Sequence, residues 1–336
     1  MSRRRLQRDP TARADTIELP TLAVALTIYG VFFGFTWFYA DLPLWLVALG
    51  MSVVLAWYGS LQHETIHDHP TPWRALNATL ACAPLSLWLP YAIYRDLHLR
   101  HHRYGGRYLT VPVVDPESFY LAPTRAAGLG NLLRALHAAN TTLAGRLLVG
   151  PALSIGAFWA AEIRRIRAGD ARRAVIWARH LAGIAFVLGW VVGICHIPWW
   201  AYVGLMVYPG VGISLLRSFA EHRAHHDPRM RTVVVETNRF WGLLFLNNNL
   251  HIVHHAQASV PWYELPRLWR GMRAHYAGTP LVHEGGYAAI AAAHCFKPIL
   301  TLEHPVRPPL RAVPVPVPVV PAPAPVPRTL EYESVE

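Results

Sequence analysis

Charge is scarce in this chain. Only 15% of its 336 residues are charged, where a soluble domain carries about a quarter. With 53% hydrophobic residues and a positive mean hydropathy, this argues against a soluble protein and for an all-α integral membrane protein. Lysine is almost missing: Lys297 stands alone, so the net charge of +11 is carried by arginine. These arginines flank apolar segments and do not interleave with exposed aromatics on a polar domain. That argues against a nucleic-acid partner and for contact with anionic membrane lipids. Cysteine is equally sparse. Cys82, Cys195 and Cys295 are scattered and form no CxxC pair, which argues against a disulfide framework. No cleavable signal peptide is legible, because Asp15 and Glu18 follow the basic start and the apolar stretch beyond is long enough to span.

What is present is a set of long apolar runs. Residues 21–40, 44–60 and 199–216, all uncharged, and 174–195, despite Arg179 and His180 near its start, each approach the roughly 20 residues a bilayer core requires. Two minimal turns, at 41–43 and 196–198, join them in pairs and contain neither Arg nor Lys. The arginines lie in the long segments on the other side. Four spans with both termini cytoplasmic satisfy this bias.

The expected domains are a basic tail over 1–19, a membrane domain over 20–304 with a helical cytoplasmic cap, and a Pro-rich extended tail over 305–336. Residues 75–94, broken by Pro84 and Pro90, read as a re-entrant or interfacial segment, or as a buried helix. Residues 143–161, interrupted by Arg146 and Pro151, read as a helix lying in the interface with Arg on its wet side. Residues 111–123, with Asp115-Pro116-Glu117, read as a loop.

Histidine is the residue in excess. His251, His254 and His255 stand at i, i+3 and i+4, as do His98, His101 and His102, while His63 and His67 stand at i and i+4. On a helix these positions share a face, so each triplet of rings can converge on one point. All three clusters fall on the cytoplasmic side of the four-span topology. A neutral imidazole is a good ligand for Fe, Zn, Cu or Ni. Eight such rings, or nine with His222, and no nearby Cys fit two octahedral-tending ions better than structural zinc. His137, His180, His196, His275, His283, His294 and His304 are isolated and read as structural. Glu64, Asp68, Asp96 and Glu221 each adjoin a candidate ligand and could orient it, or could be solvated charges. One of Asn247, Asn248 and Asn249 could hold a metal-bound water or a backbone group, or cap a helix.

The boxes His63-Glu64-Thr65-Ile66-His67, His98-Leu99-Arg100-His101-His102 and His251-Ile252-Val253-His254-His255 resemble those of the membrane fatty acid desaturase and hydroxylase superfamily. Their order, and their position after the second and fourth spans, match as well. The short first box is similar to that of bacterial acyl-lipid desaturases. The resemblance implies a non-haem di-iron centre that activates O₂ beside an acyl tunnel. It also implies one ligand between the last span and the third box. His222, in Glu221-His222, stands there; His225 and His226 read as loop residues.

The implied activity is desaturation of a lipid acyl chain. The alternative is hydroxylation of a lipid or hydrocarbon by a member of the same superfamily. The Glu221-His222 dipeptide is similar to alkane hydroxylases, but the second box is HxxHH and not the longer HxxxHH. A metal transporter is disfavoured, because transporters place ligands near the middle of their spans. With no fused cytochrome or cysteine cluster, an external electron donor such as ferredoxin with its reductase is implied. The expected location is a bacterial inner membrane, with the active site on the cytoplasmic side.

Overall fold

The computed structural model describes residues 16–103 and 107–307. Most of the expected N-terminal tail and most of the Pro-rich segment lie outside these residues. The described chain is mostly helical, with a two-residue parallel pairing of Val234–Val235 with Val282–His283. Four helices are long and apolar enough to cross a membrane: Leu19–Trp37, Leu44–Ile66, Ala171–Ile194 and Trp199–Glu221. Each expected span is found, and the second and fourth run further than the uncharged runs that announced them. At 1.5 Å per residue the second is about 34 Å long, enough to cross the hydrocarbon and carry His63 beyond it.

The second and fourth spans form the centre. Between helices in lipid, close van der Waals packing replaces the hydrophobic effect as the driving force, and small residues permit it. Gly210 shows this: a Cβ there would stand 3.0 Å from both Leu55 Cβ and the Ser52 carbonyl. Ser52 Oγ in turn lies 3.3 Å from the carbonyls of Leu205 and Met206. The first span packs on the second through Ile28 and Phe32, both buried. The third span is peripheral, with 17% of its apolar window buried against 50% in the second, so most of its surface faces the membrane.

Two segments depart from expectation. Residues 75–94 are not one element: a helix Arg74–Ala81 stops before Pro84, and a separate helix Tyr91–Arg103 begins after Pro90, because each proline removes a donor and restricts its predecessor. Residues 143–161 are likewise two helices, Leu143–Leu148 and Gly150–Arg167. Arg146 does not face water; it is 1% exposed and bonded to Ser218 of the fourth span. Gly212 makes this docking possible, since a Cβ there would lie 2.7 Å from the Leu147 carbonyl oxygen.

Glu18 and His69 tie the chain's start to the end of the second span. His69 Nδ1 lies 2.5 Å from Glu18 Oε1, both groups buried. Arg231 fastens the cap: its guanidinium donates to the carbonyls of His225, His226, Arg107 and Leu109.

Candidate metal centre

His63 lies in the last turn of the second span, and His67 is the residue that ends it. Asp68 then takes a positive φ of 66°, which stops the helix. Asn77 holds the reversal, donating to the carbonyls of Asp68 and Thr71 and accepting from the Thr71 N–H. The second box occupies the last two turns of Tyr91–Arg103. The third forms the short helix His251–Ala256. Leu246 and Asn247 enter it with φ of 47° and 52°. A left-handed leucine is costly, and here it turns the chain from the helix Arg239–Leu244 toward the site.

These elements bring all nine predicted histidines together, in two groups. His63, His67, His98, His102 and His254 form one; His101, His222, His251 and His255 form the other. Within each group the facing ring atoms lie within 4.8 Å of one another. The expectation that each triplet converges on a single point is therefore wrong. At 3.6 residues per turn the i+4 ring is rotated by about 40° from i, and the i+3 ring by about 60° the other way. A helix between two centres thus gives its i, i+4 pair to one and its i+3 ring to the other. The second box gives its pair to the first group, and the third box gives its pair to the second.

The atoms facing inward are ring nitrogens with no better partner. Nε2 atoms meet in pairs: His67 with His98 and His254 with His102 at 3.1 Å, His251 with His222 at 2.8 Å and His255 with His251 at 3.0 Å. His63 Nε2 and His101 Nε2 are buried without any hydrogen-bond partner. His98 and His251 turn Nδ1 outward, to Glu117 Oε1 at 2.9 Å and the Asn248 carbonyl at 3.2 Å. With the hydrogen on Nδ1, their Nε2 lone pairs point inward. Lone pairs converging on a buried point are repulsive unless a cation sits there, so the residues fit a metal ion in each group.

Burial, reinforced by the neighbouring rings, holds His67, His102, His251, His254 and His255 well below the ordinary histidine range, and pushes His222 down to about 3. These rings are neutral near pH 7, as ligands must be. His101 differs. Burial lowers it, but the carboxylates of Asp115 and Glu117 outweigh burial and raise it to about 9. Asp115 faces His101 Nδ1 at 2.9 and 3.0 Å through its two oxygens. Glu117 is burdened by burial yet held down to about 2 by His98 and His101.

Asp115 and Glu117 were missed as site residues. The four carboxylates chosen by adjacency fare unevenly. Glu221 Oε2 lies 3.3 Å from His251 Nδ1, and its other oxygen 3.3 Å from Tyr287 Oη. Glu64 stands 3.8 Å from His63 Nδ1, too far for a hydrogen bond, and accepts instead from the Trp262 N–H. Asp68 pairs with Arg74 and Arg95, and Asp96 with Arg100 and Arg173. Neighbours in sequence point around the helix by about 100°, so adjacency selects the wrong face. The available signal was the pair Asp115-Pro116-Glu117, just past the second box in a chain poor in carboxylates. His225 bonds to Asp227 and joins neither group. Of the isolated histidines, His180 holds the Leu87 carbonyl and His304 holds Thr110.

Both groups border one cavity of about 830 Å³, whose wall includes Leu55, Val211, Leu215 and Phe119 beside His63 and His222. Four apolar helices carrying two histidine groups able to hold metal, both on one cavity, define a candidate metal-binding membrane protein. The family model for fatty acid desaturases matches residues 40–284, and the chain belongs to that family. It is therefore an oxidoreductase of the fatty acid desaturase and hydroxylase type, with a lipid acyl substrate. Comparison with curated proteins gave no match.

Proposed function

We propose that this chain is an O₂-dependent acyl-lipid desaturase working with two non-haem irons. The observation that carries the reading is the gathering of nine histidines into groups of five and four, both of which border one cavity. In this reading His63, His67, His98, His102 and His254 hold one iron, and His101, His222, His251 and His255 hold the other. When bound, the iron pair supplies O₂ reduction and the removal of hydrogen from an unactivated carbon. The chain supplies the rest. Its neutral rings offer lone pairs without first losing a proton, and His101 alone must release one. Glu117 and Asp115 keep the hydrogens of His98 and His101 on Nδ1, which aims each Nε2 inward. The cavity holds the acyl chain against both groups and fixes which carbon is presented.

Hydroxylation is the second reading, and differs in whether a second hydrogen is removed. A transporter needs ligands midway along its spans; here they cluster at one end of the second and fourth spans. The reducing electrons come from an external carrier such as ferredoxin with its reductase, since Cys82, Cys195 and Cys295 are single and free. It docks on the Arg-rich face, so rising salt should slow turnover with a soluble donor. In the proposed orientation, in a bacterial inner membrane, both termini and the histidines are cytoplasmic.

The test is a product profile. The chain is expressed in a bacterial host with a donor system, beside a His254→Ala control, and fatty acids and added alkanes are analysed by mass spectrometry. New double bonds absent from the control support the desaturase. Hydroxylated products move the assignment to hydroxylation. One loosely held zinc per chain and no product would sink the oxygenase reading.

A further inference from the structure

Outside the histidine groups, two buried arginines, Arg146 and Arg231, have no ion-pair partner among the described residues, and of these Arg146 lines the cavity. Arg146 stands on the helix Leu143–Leu148 with 1% of its surface exposed. Its Nη2 donates to Ser218 Oγ at 2.6 Å, its Nε to the Leu215 carbonyl at 3.3 Å and its Nη1 to Asn140 Oδ1 at 3.4 Å. Its Cζ lies 4.5 Å over the Phe119 ring. Every one of these partners is neutral, and no ion pair among the described residues reaches it. A guanidinium has five N–H donors, so one hydrogen on each Nη is left over. Burial draws the group down to about 10, which leaves it charged at neutral pH.

The other buried arginines are engaged elsewhere and do not line the cavity. Arg173 pairs with Asp96 at 3.0 Å and Glu162 at 3.5 Å. Arg231 spends its donors on four carbonyls of the cap. Taking a cation out of water with no counter-charge costs several kcal/mol, and an apolar side chain at position 146 would avoid that cost.

Arg146 also lines the cavity that both histidine groups border. Its partner Ser218 stands one helical turn before His222 on the fourth span. The cavity wall has apolar stretches; of its other arginines, Arg125 and Arg165 are exposed, Arg100 pairs with Asp96 and Arg217 pairs with Glu221. A single space thus joins a fixed buried cation, apolar side chains such as Leu55, Val211 and Phe119, and the two histidine groups. The ligand with matching parts is an apolar chain ending in an anionic oxygen group. One hydrogen free on each Nη suits an oxyanion bound by two parallel N–H···O bonds.

We propose that Arg146 anchors the anionic oxygen head, carboxylate or phosphate, of the acyl chain that enters this cavity. The proposal rests on the acyl-oxidoreductase reading and adds to it the residue that selects the substrate's head.

The test measures binding without turnover. Full-length protein, captured on beads and stripped of metal, is titrated with radiolabelled palmitate, dioleoyl phosphatidate and the neutral chain hexadecanol. Arg146→Gln should weaken palmitate or phosphatidate at least tenfold and leave hexadecanol unchanged, and Arg146→Lys should recover part of the loss. A response from palmitate alone identifies a free carboxylate; one from phosphatidate alone identifies a lipid headgroup. Equal weakening of all three ligands, or no weakening of any, overturns the proposal. Should Arg146→Gln not fold, the wild type decides: an anionic chain must bind at least tenfold tighter than hexadecanol, and parity overturns the anchor. Because neither metal nor electron donor enters the assay, failure of the oxygenase reading leaves its result intact, and the reverse holds too.

Discussion

His102 and His255 stack with ring centroids 4.4 Å apart and planes 15° from parallel, although each belongs to a different histidine group. Both are partly exposed, whereas the other seven rings are buried. This stack is where the two groups touch and where they come nearest to solvent. His102→Ala should remove one ligand from the five-ring group, and His255→Ala one from the four-ring group. Each variant should lower metal from about two ions per chain toward one. Loss of both ions from either variant would show that the groups load as a unit, and two retained ions would remove that ring from the ligand set. Metal analysis of purified protein reads all three outcomes.

Carboxylates that touch ligand nitrogens should matter and those that merely adjoin ligands in sequence should not. Asp115→Asn and Glu117→Gln replace carboxylates that stand 2.9 Å from His101 and His98 by neutral amides. Partners of this kind typically cost about 10–100-fold in metal affinity or activity when lost. Asp96→Asn breaks contacts to Arg100 and Arg173 and should leave metal affinity within about twofold of wild type, as expected of a pair away from the ligands. Equal losses in the two sets would mean that the Nδ1 contacts do not tune the ligands.

Much of this arrangement was legible in the sequence. Apolar runs, three of them uncharged and one holding only Arg179, announced all four spans, because a spanning segment admits few charges whatever its neighbours. The histidine boxes announced the site, since repeated i, i+4 spacing has few other uses. What was not legible depends on rotation and long-range docking. That His98 and His101 serve different groups follows from where two centres lie around one helix. That Asp115 lies beneath His101 depends on how the loop after the second box folds back. That Arg146 faces inward depends on Gly212, which lets the helix Leu143–Leu148 approach the fourth span. An isolated Arg in an apolar run gives no sign of its partner.

Two glycine substitutions should separate packing from propensity. Gly212→Val places its Cβ 2.7 Å from the Leu147 carbonyl oxygen, a backbone atom that cannot move without shifting its helix. Overpacking of this kind costs about 1–3 kcal/mol, so the melting temperature should fall and Arg146 should lose its place against Ser218. Gly156→Ala lies inside the helix Gly150–Arg167 with nothing within 4 Å of its Cβ. Helix propensity then predicts a gain of up to about 1 kcal/mol. A destabilised Gly156→Ala, or a neutral Gly212→Val, would contradict the packing described.

Metal uptake should depend on pH through His101. In the metal-free protein the carboxylates of Asp115 and Glu117 outweigh burial and raise this ring to about 9, so it carries both hydrogens at neutral pH. Nδ1 keeps its hydrogen for Asp115, and the proton that must leave for a metal to bind is on Nε2. The other three rings of that group are already neutral. Below about pH 9, therefore, each unit of rising pH should tighten binding at this group by up to about tenfold, and above it the dependence should flatten. Asp115→Asn lowers the His101 pKa, so it should weaken the dependence near neutral pH while lowering the affinity reached at high pH. Isothermal titration with Fe(II) or Co(II) at several pH values, in buffers of different ionisation enthalpy, counts the protons released. A wild type that releases none at pH 7 would show His101 to be neutral before the metal arrives.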